Sequence, residues 1–434
     1  MSEHPSASSP RIPPPKITRG EWALVLVLVA IQFTHMVDFV IIMPLGARLM
    51  SELDITPIEF GWIVSVYAIA AGVASFLGSL VMDRFDRRSV LLTMYGGFAL
   101  STLFCGLAPD YPWLIVARTL AGIFGGLAAV SIMAVIGDVF PSEKRGRVTG
   151  AITSSFAVAS IVGLPIGLLL ADLYGRGAPF VALAGFSALV WLIAVFRLPQ
   201  VRTHLEHTRR NPFRELAAVV VEPNHQRAFA FTFFMVLGTF TVASFMAPYL
   251  AAVNGWSEAE LAKLYFAGGL CTLVGMAIVG RLADRFPRLM LFRVMAGMTI
   301  LITIAITNLP PGPVWVAAIF LSLFMVFAAG RMVPAQAMLL GAAQPRDRGS
   351  FMSLNTAVQH ISSGLAPILA GALITKTDDG KMTGFPVVGL VAIVMTLISL
   401  LLAGRVKAAK IITPTQEVAP ESPARSSSEP VAAA

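Results

Sequence analysis

The sequence predicts an all-α membrane protein of twelve transmembrane helices, arranged as two six-helix repeats. Three observations carry this. The 434 residues are 56% hydrophobic and 13% charged. An ordinary soluble chain is about 25% charged, so too little polar surface remains to coat a globule. Apolar runs of spanning length recur twelve times. The two halves of the chain repeat one another at a nearly fixed offset.

A helix needs about 20 residues to cross the roughly 30 Å hydrocarbon core. Runs bounded by charges or by Pro and Gly lie at 21–46, 58–82, 89–108, 111–138, 147–172, 177–198, 227–253, 258–283, 288–308, 313–340, 349–374 and 382–404. Ser, Gly and Pro dilute the fifth and the eleventh. Residues 1–20 are polar and Pro-rich, a tail and not a signal peptide, because the run after them is too long for a signal h-region. Residues 21–198 then form the first bundle, 199–226 a linker, and 227–404 the second bundle. Residues 405–434, rich in Pro, Ser and Ala, read as a disordered tail. The linker piece PFRELAAVVVE reads equally as a short interfacial helix or as a solvated connection.

Charge sets the orientation. With the N-terminus in the cytoplasm, most of the 32 Lys and Arg fall on the cytoplasmic side, and Arg48, Arg176, Lys263, Lys376 and Lys381 fall on the other. The positive-inside rule therefore places both termini inside. The net charge of +8 reads as topology in a lipid bilayer, not as nucleic-acid binding. Cys105 and Cys271 lie in apolar runs and form neither a disulfide framework nor a metal-ligand spacing.

The repeat is visible in pairs. Thr56 and Ser257, Glu59 and Glu260, and Asp83 and Asp284 are each 201 residues apart. Arg145-Gly146 and Arg348-Gly349 are separated by 203, and Pro165 and Pro367 by 202. The Thr/Ser-x-x-Glu pairs are capping boxes at helix starts. Two parallel repeats are a common way to place a site at the midplane between halves.

The segment Gly280-Arg-Leu-Ala-Asp284-Arg285-Phe-Pro-Arg288 resembles the loop between spans two and three of the major facilitator superfamily. The first half reads Ser79-Leu-Val-Met-Asp83-Arg84-Phe-Asp86-Arg87-Arg88, with Ser79 and Asp86 in place of the family's glycines. Pro287 replaces the second glycine in the other half. Arg118-Thr-Leu-Ala-Gly122 in span four is similar to the family's Arg-x-x-x-Gly motif. Gly163-Leu-Pro165-Ile-Gly167 in span five resembles the motif of its bacterial drug- and sugar-exporting antiporter branch. The resemblance covers residues 20–405. It implies a secondary transporter and a coupling role for Arg118.

Several residues are chemically costly where they stand. Asp38 is expected about two-thirds of the way across span one, near the midplane, where an ionised carboxylate is expensive. It reads either as a proton-coupling or substrate-pairing group, or as a partner of Arg118 holding two helices together. His35, three residues earlier on the same face, is placed to modulate it. Arg331 in span ten lies toward the cytoplasmic end, and its expected fate is to reach the headgroups. Asn355, Gln359 and His360 form a polar stripe that either lines a cavity or joins helices. Asp83, Arg84, Arg87 and Arg88, with Asp284, Arg285 and Arg288, are expected to form cytoplasmic latches. In these the two aspartates cap the starts of spans eleven and five. Gly122, Gly125 and Gly126 predict close helix packing, not a phosphate loop.

No catalytic triad or metal spacing stands out, so an enzyme is not expected. The reading is an inner-membrane, monomeric, proton-driven exporter of a small organic molecule, either drug-like or sugar-like, without cofactor. Proton-coupled uptake and ligand sensing without net transport are the alternatives.

Overall fold

The computed structural model describes residues 17–82, 85–199, 218–344, 347–377 and 382–409. Sixteen α-helices and one π-helical turn account for nearly all of them. The first half runs α1 (Arg19–Ile41), α2 (Gly46–Glu52), α3 (Pro57–Val81), α4 (Arg87–Leu107) and α5 (Tyr111–Val139). It continues through α6 (Ser142–Thr153), α7 (Ser155–Val158), the π-turn (Ala159–Gly163), α8 (Leu164–Tyr174) and α9 (Ala178–Arg197). The second half is α10 (Pro223–Asn254), α11 (Glu258–Arg285), α12 (Arg288–Thr307), α13 (Val314–Gly330), α14 (Met332–Ala342), α15 (Arg348–Leu373) and α16 (Phe385–Ala403).

Eleven of these stretches are long and apolar enough to cross a membrane, α6 to α8 and α13 to α14 counting as one each. The twelfth, α15, has 26 residues but carries Asn355, Gln359, His360 and several serines, which dilute it. It sits centrally, packed between α3 and α10, so it has no need of a lipid-facing surface all round.

Local rules explain the boundaries. Reciprocal capping boxes start α3 at Thr56/Glu59 and α11 at Ser257/Glu260, and a third starts α1 at Thr18/Glu21. Helix α1 ends at Ile41, earlier than the apolar run suggests, because Pro44 cannot continue the hydrogen-bond ladder. The chain turns there into the short α2. In the fifth span the ladder widens to a π-turn just before Pro165, which has no N–H to donate back. The second bundle starts at Pro223, four residues earlier than its apolar run. Residues 218–221, the end of the linker's apolar piece, are helical. The rest of that piece lies outside the described residues. Among the described residues the one departure from all-helical is a hairpin too short to show as a sequence pattern, β1 (Thr375–Lys376) against β2 (Met382–Thr383).

The halves meet along two lines, α3 against α15, and α11 against the π-turn and α8. Glycines set the closeness. A Cβ on Gly61 would stand 2.5 Å from the Pro367 carbonyl oxygen, and one on Gly371 2.6 Å from that of Pro57. Gly364 abuts Ile69, Gly72 abuts His360, and Gly269 abuts Ile161. These contacts gather toward the end that carries α2. At the end where α1 begins and α16 finishes, Gly146, Gly150 and Gly349 have open space around them. The two bundles are thus closed at the α2 end and parted at the other.

Candidate functional site

The site is built on α1 and α5, with α3 and α4 as walls. Asp38 lies in the last turn of α1, not two-thirds through a longer helix, because α1 ends at Ile41. Arg118 is about two turns into α5. The pair therefore sits nearer the closed end than the expected midplane. Both side chains are 0% exposed, and Arg118 Nη1 donates to Asp38 Oδ2 at 3.0 Å and to the Asp38 carbonyl at 3.1 Å. The guanidinium stands 4.2 Å from the centre of the Tyr67 ring, a cation–π contact. The Tyr67 and Thr102 hydroxyls are buried without a hydrogen-bond partner. One Asp38 oxygen and two Arg118 nitrogens keep no hydrogen-bond partner.

His35 is buried beside this pair. Its ring stacks on Tyr67 at 6.0 Å and meets Phe98 edge-on at 5.9 Å, and neither ring nitrogen has a partner. His360, from the second half, abuts Gly72 on α3, the helix that carries Tyr67. Phe39, next to Asp38, meets Phe240 of α10 across the seam, with ring centroids 5.7 Å apart. Groups from both halves therefore converge around Asp38.

The glycine motifs shape this convergence. Gly122 and Gly126 bring α5 against the α3 backbone at Tyr67 and Ala71, and Gly125 leaves room for His35. A Cβ on Gly163 would collide with Val37, and one on Gly167 would stand 2.6 Å from Ile41 Cδ1. Val37 and Ile41 flank Asp38 on α1. The Gly-x-Pro-x-Gly motif thus sets how closely the fifth span presses on the helix that carries the carboxylate.

The other sequence candidates fall into three groups. Asn355 is wholly buried, and its amide oxygen accepts from the Thr232 hydroxyl at 2.7 Å, joining α15 to α10. Gln359 and His360 are half-buried at the seam. Arg331 does not reach the headgroups. It is 0% exposed at the break between α13 and α14, and Nη2 donates to the Met235 carbonyl at 3.1 Å and to the Thr239 hydroxyl. Neighbouring α10 and α16 close over it, so its stem has no path to a membrane surface.

Asp83 and Arg84 lie outside the described residues. Arg87 pairs with Asp138 at 2.9 Å, and Arg88 donates to the Val195 carbonyl, both within the first half. Asp284 and Arg285 are exposed, and Arg288 donates to the Ala337 carbonyl within the second half. The expected contact of Asp284 with the start of span five is not made, because the bundles are parted at that end.

Sequence reasoning missed a clasp at the closed end. Arg48 on α2 grips Glu258 at the start of α11 through two bonds, Nε to Oε1 at 2.8 Å and Nη2 to Oε2 at 3.1 Å. Its Nη1 donates to the Ala171 carbonyl at 2.7 Å. The Glu258 carboxylate holds the Arg48 guanidinium above its ordinary pKa. The available signal was that Arg48 is one of few basic residues on its side of the membrane. A groove of about 910 Å³ in the first half, lined by α3, α4 and α5, is mainly apolar.

Two helical bundles in one membrane chain, sharing a central charged site and closed at one end, define the class: a multi-pass transporter. The model described as Major Facilitator Superfamily matches residues 28–329 and again 228–429, and the chain belongs to that family. It is 26% identical over 362 residues to the "Uncharacterized MFS-type transporter YceJ" of Bacillus subtilis (strain 168), covering 82% of this chain and 90% of that one. It is 21% identical to "Multidrug resistance protein 1" of the same organism, covering 77% of this chain and 85% of that one. Among solved structures it is similar to an inward-facing, unoccupied bacterial homolog of the human lysosomal transporter Spinster. There the TM-score is 0.67 at 17% identity, covering 90% of this chain and 95% of that one. It is also similar to a point mutant of the nucleoside transporter NupG, with a TM-score of 0.69 at 15% identity, covering 88% of this chain and 98% of that one. At these identities the structural likeness speaks for the fold.

Proposed function

We propose that the protein is a proton-driven exporter of small organic molecules in a bacterial inner membrane, acting as a monomer with both termini in the cytoplasm. The observation that carries this reading is the wholly buried Asp38–Arg118 pair under His35, whose ring nitrogens are both free of partners. A buried carboxylate whose ionic partner is an arginine can exchange that partner for a proton, and this changes the charge of the site during a cycle. Arg118 then tunes Asp38, and His35 and His360 bring the two halves' responses together. The relative named for multidrug resistance supports the export direction.

Alternating access follows from the seam. With the termini inside, this conformation is open to the cytoplasm, held by the Arg48–Glu258 clasp. The loops carrying Asp83, Arg84, Arg87, Arg88, Asp284, Arg285 and Arg288 would engage when the bundles rock to close the cytoplasmic end. Each set of contacts exists in one state only and so biases the population toward it. Gly163, Pro165 and Gly167 keep the fifth span tight on α1 while this happens, and Gln359 and His360 stand at the seam that must shift.

The test is resistance to a panel of toxic compounds in a host lacking its main exporters, with wild type or Asp38→Asn at equal membrane expression. Resistance that vanishes in the variant is expected. Resistance that persists would make the carboxylate structural. Proton-dependent accumulation inside the host would reverse the direction to uptake.

A further inference from the structure

Three positions on one face of α5 meet a single residue of α3. Arg118, Gly122 and Gly125 follow one another at helical spacing, so they share that face. The Arg118 guanidinium stands 4.2 Å from the centre of the Tyr67 ring. A Cβ on Gly122 would collide with the Tyr67 carbonyl, and one on Gly125 would stand 3.1 Å from the Tyr67 hydroxyl oxygen. Gly122 thus lets the Tyr67 backbone rest on α5, and the ring lies against the arginine one turn earlier. Tyr67 is 1% exposed. His35 and Phe39 of α1 stack on its ring at 6.0 and 5.7 Å and hold it there. The spacing of Arg118 and Gly122 therefore seats an aromatic face on a buried cation.

The use of that face depends on the state of Asp38. Arg118 Nη1 serves both the carboxylate and the carbonyl of Asp38, while Nε and Nη2 have no hydrogen-bond partner. A proton on Asp38 removes the negative charge that balances the guanidinium. Two contacts survive that event, because neither belongs to the carboxylate: the Asp38 carbonyl at 3.1 Å and the Tyr67 ring. The ring attracts a cation through its negative face, most strongly where water is excluded. While Asp38 is ionised, the ring meets two opposite charges whose effects partly cancel. Once Asp38 is neutral, it meets the full positive charge. The other titratable groups packed around this contact are His35 of α1, Cys105 of α4 in the same buried cluster, and His360 of α15, which lies against α3. None of these is a carboxylate.

We propose that Tyr67 is a positioning residue of the coupling site. Its ring holds the Arg118 guanidinium in place while Asp38 is neutral, so that the arginine is there to recapture the carboxylate when the proton leaves. This rests on the reading of Asp38 as the proton carrier, and it names the group that steadies the unpaired charge meanwhile.

The experiment needs neither gradient nor substrate, so failure of the export reading would leave its result standing. Full-length protein is purified in detergent with Asp38 or with Asp38→Asn, which stands in for the neutral acid. In each background, position 67 carries tyrosine, phenylalanine, or phenylalanine with one, two or three ring fluorines. Fluorine drains the negative face and nearly keeps the shape of the ring. Its effect on packing is common to both backgrounds and cancels in the comparison. Tyr67→Phe is expected to melt close to its parent in both, because the ring is kept. Each added fluorine is expected to lower the melting temperature about twice as far with Asp38→Asn as with Asp38. Equal slopes in the two backgrounds, or no slope in either, would overturn the proposal, since a ring that only fills space does not sense the charge of Asp38. A large loss in Tyr67→Phe would overturn it too, by placing the role in the hydroxyl. Should Asp38→Asn not fold, Asp38→Ser, also neutral, takes its place in the same comparison.

Discussion

The two bundles share a fold and a repeat, yet they treat buried charge oppositely. In the first, Arg118 is matched by Asp38 at 3.0 Å on a neighbouring helix. In the second, Arg331 is bound by neutral acceptors on α10 and α16. Both cations are 0% exposed. A repeat thus preserves helix packing, where small residues and caps recur at the same offset, and leaves the chemistry of each half free to diverge. A matched pair can change state by losing a proton to or gaining one from its surroundings.

The largest effect should come from breaking the match. Arg118→Met leaves Asp38 as an orphaned buried carboxylate, and removing one member of a buried pair costs about 3–5 kcal/mol. Arg331→Met removes a charge that has only neutral acceptors and leaves no orphaned carboxylate among the described residues, so it should cost less. Melting of the two variants in detergent, side by side, checks this; equal losses would mean that the two cations play the same structural role.

A smaller effect is expected at the clasp, where the halves are compared across the seam instead of along the chain. Arg48→Ala removes a bidentate, partly exposed bridge to Glu258, worth about 1–2 kcal/mol of preference for the state closed at that end. The measurement is thiol labelling of Ala262→Cys, a buried position near the clasp, in a background without Cys105 and Cys271. Labelling should quicken several-fold when Arg48 is absent. An unchanged rate would show that packing along the two seams, without the clasp, holds the end shut.

The smallest effect should be equal in the two halves. Thr56→Ala and Ser257→Ala each delete the side chain of a capping box, at about 1 kcal/mol apiece. Melting shifts that match within error would confirm that the repeat is energetic as well as formal.

Much of the architecture was legible because it depends on local patterns. Spanning length, capping boxes at Thr56 and Ser257, and the glycines of GIFGG all show within a single continuous segment of sequence. Span one was read too long, because an apolar run does not reveal that Pro44 breaks the helix while the chain stays buried. The polar α15 was read as a span despite its dilution, and its central position explains why it tolerates that. The site was legible only in part. Asp38, His35 and Arg118 announced themselves as polar groups in apolar runs. The Arg48–Glu258 clasp joins residues 210 apart whose types are ordinary for loops.

By itself the sequence determined that this chain crosses a membrane repeatedly, that it is duplicated, and which few residues carry costly charge. These follow from composition and short-range periodicity, which need no knowledge of neighbours. Only the tertiary structure decided which charges meet. It joined Asp38 to Arg118, left Arg331 without a carboxylate among the described residues, and set Val37 and Ile41 against Gly163 and Gly167. Pairing of a buried charge depends on which helices touch and at what rotation, and in a bundle of near-parallel helices that is settled by packing between segments far apart in the chain.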